Sequence, residues 1–82
     1  MHERRAVPRT PVERPAVAAF DGASIGCRVK DISISGASIE IDAADRLPSR
    51  FKLMLLDDGK LFDCRLVWLS KGRAGIAFVG AD

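Results

Sequence analysis

Two groups of residues have the types and spacing needed to recognise a ligand. The first is Arg4, Arg5 and Arg9, carried in the string Arg4-Arg5-Ala6-Val7-Pro8-Arg9. A guanidinium is a rigid planar fork of donors that matches phosphate oxygens or the acceptor edge of guanine. Pro8, Pro11 and Pro15 keep this segment from being a helix interior. The arginines therefore belong either to an extended arm able to fold over a bound molecule or to a solvated basic tail. The second group is Asp31, Ser33 and Gly36 in Asp31-Ile32-Ser33-Ile34-Ser35-Gly36. Asp31 has the parity of Ile25, Cys27 and Val29, which should face a core, so its carboxylate either caps a local turn or accepts hydrogen bonds from a ligand. Gly36 suits a positive φ or a close approach by a bound group.

Little else in the chain offers reaction chemistry. His2 has no Asp or Ser at a plausible spacing for a catalytic set, and Asp57-Asp58 precedes a glycine as a hairpin turn would. Cys27 and Cys64 lack the spacing of a zinc site or a disulfide framework and read as reduced, buried small hydrophobes. Trp68 falls at the inward parity of its segment and is expected in the core. With neither a nucleophile–base pair nor a metal cluster, the expectation is a binding protein, not an enzyme, with no cofactor.

Charge separates the arm from the remainder. The 82 residues carry 13 Lys and Arg against 11 Asp and Glu, a net charge of +2. All of that excess lies in the first fourteen residues, where Arg4, Arg5, Arg9 and Arg14 outnumber Glu3 and Glu13. A DNA- or RNA-binding barrel would spread its cations over a face and interleave aromatics, so a small anion is the better match. No apolar run reaches the roughly 20 residues that span a bilayer, and no apolar segment follows the first residues as in a signal peptide, which predicts a cytoplasmic location without membrane insertion.

The positioning elements follow from a period of two. Ile25, Cys27 and Val29 alternate with Arg28 and Lys30; Ala37, Ile39 and Ile41 alternate with Ser38, Glu40 and Asp42. Phe51, Leu53 and Leu55 continue the pattern, as do Phe62, Cys64 and Leu66, then Ile76 and Phe78. Asp21-Gly22, Asp58-Gly59 and Lys71-Gly72 punctuate these runs as tight turns. Helical periodicity is missing, and only Ala43–Arg46 suits a brief helical turn. The prediction is an all-β domain, a small six-stranded antiparallel β-barrel over residues 12–82, preceded by a mobile basic arm over residues 1–11 and lacking a C-terminal helix. Closure buries one core and removes the exposed edges of an open sheet.

Taken together, Arg5-x-x-x-Arg9 and, some twenty residues later, Asp31-x-Ser33-x-x-Gly36 at the end of a strand resemble the PilZ domain, a bacterial receptor module for cyclic di-GMP. The lead-in Glu3-Arg4-Arg5 and the closing Cys64-Arg65-Leu66-Val67-Trp68 with Gly75-Ile76-Ala77-Phe78 are similar to the family as well. The resemblance implies a six-stranded barrel with cyclic di-GMP on its outer surface and the arm wrapped across it. Arg5 and Arg9 would contact phosphates and guanine edges, Asp31 and Ser33 would accept from guanine donors, and Gly36 would let the turn come close. Arg4, just before the motif, would stack on a base and favour an intercalated ligand dimer. Val7 stands where the family often has a larger residue, and the chain stops where the family commonly continues into a helix, which leaves homodimerisation open. An unidentified downstream protein would read the ligand-bound state. The alternative is a PilZ-like interaction domain that binds a protein partner and no nucleotide.

Overall fold

The computed structural model describes residues 10–80. Six strands form in chain order: β1 (Thr10–Phe20), β2 (Ala23–Ile32), β3 (Gly36–Glu40), β4 (Arg50–Leu55), β5 (Leu61–Ser70) and β6 (Arg73–Phe78). A single 3-10 turn, Ala44–Arg46, lies between β3 and β4. All pairings are antiparallel, and the order β1-β2-β3-β6-β5-β4 closes because β1 pairs with both β2 and β4. The predicted all-β barrel is thus the observed fold. Thr10 and Pro11, which the sequence reading placed in the arm, pair with Ile32 and Asp31 of β2.

Turn chemistry acts where the sequence places it. Gly22, Gly59 and Gly72 adopt φ of +73°, +75° and +71°, and Asp21 joins Gly22 at +49°, the pair of positive values that matches the twist of a two-residue hairpin. Ile39, Leu53, Leu55, Val29 and Cys64 are the largest fully buried side chains, packed with Phe51, Ile41 and Ile76. Ala16, Ala18, Ala37 and Ala74 complete the core with small volume, which suits the narrow bore of six strands.

The seam between β1 and the β4–β5 turn is held by charge. Arg14 donates from Nε to Asp57 at 2.9 Å and from Nη2 to Asp57 and Asp58, each at 2.9 Å. The Leu56 amide donates to the Pro15 carbonyl beside it at 3.0 Å. Hydrogen bonding to the Arg14 guanidinium holds the Asp57 carboxyl below the usual carboxylate range, while the Lys60 amide, then Arg14, does so for Asp58. Arg14 therefore serves the barrel, and the cationic character counted over residues 1–14 belongs to the arginines before it.

Strict alternation fails at three places, and each is a one-residue insertion. Between β2 and β3, Val29 faces Ile39 but Asp31 faces Ser38, so β2 advances two residues while β3 advances one. Between β5 and β6, Leu66 faces Ile76 but Trp68 faces Gly75, with Val67 as the extra residue. Between β1 and β2 the register shifts from Pro11↔Asp31 to Arg14↔Val29. Bulges of this kind bend a strand and re-aim the side chains beyond them.

Candidate functional surface

Two of these bulges correct the sequence reading at its most informative residues. The parity count directs Asp31 and Trp68 inward. Lys30, the additional residue on β2, restores Asp31 to the outward register of Ser38, and Val67 does the same for Trp68 against Gly75. Trp68 is consequently 43% exposed and not a core residue.

The outward register then runs as one line across four strands: Asp31 on β2, Ser38 on β3, Gly75 on β6 and Trp68 on β5. At a spacing of about 4.8 Å per strand the line is about 14 Å long. A parallel line lies two residues away, made of Gly36, Ala77 and Arg65, with Arg50 opposite Arg65 on β4. The middle of this face carries only Gly36, Ser38, Gly75 and Ala77; the first three are buried, Gly75 beneath the Trp68 indole, and Ala77 is half-buried. It is a floor of small residues, with acceptors at one rim and an indole and guanidinium groups at the other.

Each side of the floor has a defined local cause. Ser38 is 5% exposed and its hydroxyl donates to Asp31 Oδ2 at 2.7 Å, which orients the carboxylate. Beyond Asp31, the Ser33 amide donates to the Gly36 carbonyl at 2.8 Å and the Ser33 hydroxyl to the same carbonyl at 3.3 Å. The Ser35 amide donates to Ser33 Oγ at 3.3 Å, and the Phe78 amide to the Ser35 carbonyl at 2.8 Å, fixing the turn to β6. Gly36 has no positive φ. A Cβ there would stand 2.2 Å from the Ile76 carbonyl oxygen, so the close approach that requires glycine is made by the β6 backbone. Gly75 is required by its other neighbour: a Cβ would meet Trp68 Nε1 at 2.0 Å.

The structure thus brings Asp31, Ser33 and Gly36 together at one end of the floor, whereas Arg4, Arg5 and Arg9 lie outside the described residues. The chain enters the barrel at Thr10, paired with Ile32, and Pro11 extends the Asp31 line onto β1. Sequence reasoning missed Ser38, Gly75, Trp68 and Arg65 as members of this surface. The available signal was the pairing of a bulky Trp with a Gly on adjacent strands.

Other features lead away from chemistry. Burial pushes the Cys27 thiol up to about 11 and the Cys64 thiol up to about 12, which leaves both protonated and unreactive at neutral pH. A groove of about 550 Å³ at the β5–β6 turn, between Arg28, Glu40, Asp42, Lys71 and Arg73, is lined by charges of both signs. Among the described residues no cluster of His, Cys, Asp or Glu is arranged to hold a metal, and no helix is long and apolar enough to cross a membrane.

Comparison with known proteins agrees with this architecture. No curated protein matches the chain. Among solved structures, the chain is similar to the PilZ domain of CeSA from a cellulose-synthesizing bacterium, with a TM-score of 0.70 and 15% identity over 92% of this chain and 83% of that one. That likeness concerns the fold. The sequence profile of the PilZ domain matches residues 3–82, which takes in both arginine and Asp-Ser-Gly motifs. With nearly the whole sequence matched, and a closed six-stranded barrel to go with it, the chain belongs to the PilZ domain family.

Proposed function

We propose that this domain is a non-catalytic receptor for cyclic di-GMP, bound on the outer face of β2, β3, β6 and β5. The observation that carries this reading is the line Asp31–Ser38–Gly75–Trp68 beside the point where the arginine-bearing segment joins the barrel. A guanine presents amino and imino donors side by side, and a carboxylate held by Ser38 is an acceptor for such a pair. Trp68, whose indole covers Gly75 and is 43% exposed, gives a guanine an apolar surface to lie against beside Ala77.

Arg5 and Arg9 supply bidentate forks for the two phosphodiesters, and Arg4 stacks on a base, which favours two intercalated ligands. Any backbone position that binding fixes costs on the order of 1–2 kcal/mol, so the contacts these arginines make to the ligand must exceed that cost. The output is a changed surface, read in the cytoplasm by a downstream protein, with no bond made or broken. Calorimetric titration of the folded protein with cyclic di-GMP tests the reading. Saturable heat at micromolar protein is expected, abolished in Arg5→Ala, Arg9→Ala and Asp31→Ala. A folded wild-type domain that gives no heat overturns it.

A further inference from the structure

The far rim of the same floor holds a charge arrangement that the barrel does not need. Arg50 on β4 and Arg65 on β5 are directly opposed in register, and both are exposed. Like charges facing each other across a strand pair are destabilising, so this position ordinarily carries an acid opposite a base. The neighbouring pair does so: Lys52 faces Asp63, and the two form an ion pair. Asp63 is held below the usual carboxylate range chiefly by its hydrogen bond from Lys52, with Arg50 a distant last contribution. Among the described residues neither Arg50 nor Arg65 makes an ion pair or a side-chain hydrogen bond. Among the described residues the nearest acid, Asp63, is engaged by Lys52, and Arg50 reaches it only through its charge, so neither guanidinium fork is closed on a carboxylate at the edge of a surface read as a nucleotide site.

Their placement is specific. Arg65 faces Ala77, which faces Gly36, so no bulky side chain stands between the guanidinium and the turn that carries Ser33. Trp68 is the next outward residue on β5 beyond the Val67 bulge. The distance from the Asp31 end is about three strand spacings, or about 14 Å, which spans a dinucleotide lying across the floor.

We propose that Arg65, backed by Arg50, binds a phosphodiester of the ligand from the barrel side, opposite the arginines of the N-terminal segment. This rests on the cyclic di-GMP reading and adds to it a contact supplied by β5. The anion neutralises the opposed pair, so binding relieves a repulsion that the free barrel carries. A ligand held from two sides is also fixed in direction: its guanine lies at Asp31 and its phosphate at Arg65.

The test is calorimetric titration of wild type, Arg65→Ala, Arg65→Lys and Arg50→Ala with cyclic di-GMP at low and high salt, with thermal melting of each free protein. Arg65→Ala is expected to weaken binding about tenfold or more and to flatten its salt dependence, as loss of a charge-assisted contact requires. Arg65→Lys recovers part of the affinity, because it restores the charge without the fork. Arg50→Ala weakens binding less than Arg65→Ala. The free Arg65→Ala protein melts at or above the wild-type temperature, which separates a ligand contact from a structural role. Wild-type affinity in a folded Arg65→Ala protein overturns this assignment alone, as does a fall in its melting temperature that accounts for the weaker binding. Absence of wild-type binding overturns the receptor reading and this contact together.

Discussion

The indole of Trp68 lies on Gly75 so closely that a methyl group on the glycine would sit 2.0 Å from Nε1. The neighbour in this clash is the far part of a side chain, which can swing away, while the backbone beneath it need not move. Gly75→Ala is therefore expected to fold as a barrel and to release the ring from the sheet. Because Trp68 is the single tryptophan, intrinsic fluorescence reports the change directly: emission shifts to the red and is more readily quenched by iodide. The cost in stability is about 1–3 kcal/mol, the range for overpacking that leaves a side chain displaced.

Gly36 presents the opposite case. Its added Cβ would meet the Ile76 carbonyl oxygen at 2.2 Å, and that oxygen belongs to a paired strand which cannot retreat. Gly36→Ala should destabilise the ligand-free protein by at least 1–3 kcal/mol, or roughly 4–8 °C in melting temperature per kcal/mol for a domain of this size. Thermal melting followed by circular dichroism checks it. A Gly36→Ala protein with an unchanged melting temperature would show that the glycine answers only to a ligand.

Ser38 supports Asp31 and should act through it. Ser38→Ala removes a 2.7 Å hydrogen bond to the carboxylate within a part-buried contact, a change of about 1.5–3 kcal/mol for a bond to a charged group. The expected result is a lower melting temperature together with weaker cyclic di-GMP binding in titration. Ser38→Thr keeps the hydroxyl and restores part of both.

The Arg14 clamp makes the seam sensitive to acid. The Asp57 and Asp58 carboxyls titrate below their ordinary value in the folded chain, so folding is favoured by their ionised form. That contribution is present at neutral pH and is lost as pH falls through the folded values, below about 4. Melting temperatures of wild type and Arg14→Gln should differ at pH 7 and converge toward pH 2. A difference that persists undiminished at pH 2 would assign the role of Arg14 to packing of its stem.

The barrel was readable because its determinants are local. Asp21-Gly22 and Lys71-Gly72 mark their turns, and Phe51, Leu53 and Leu55 keep a period of two on a regular strand. Asp31 and Trp68 were misdirected for a shared reason: Lys30 and Val67 are inserted residues, and nothing in their side chains distinguishes an insertion from the next step of a strand. The register is decided by the partner strand, which periodicity within one segment does not see. Gly36 was singled out for a positive φ or a bound group, whereas the close approach at it comes from β6, forty residues away. Arg65 looked like an ordinary outward residue until β4 placed Arg50 across from it.

The Arg14 clamp also bears on how the barrel is closed. From Thr10, the first paired residue of β1, it is four residues to a guanidinium fastened to two aspartates of the β4–β5 turn. That attachment works as a mooring, tying the start of β1 to the far end of β4 across the seam that closes the barrel. On the receptor reading proposed above, the message is then written on the outside of the barrel, in which side chains are covered and which are offered, and whatever reads it does so by touch.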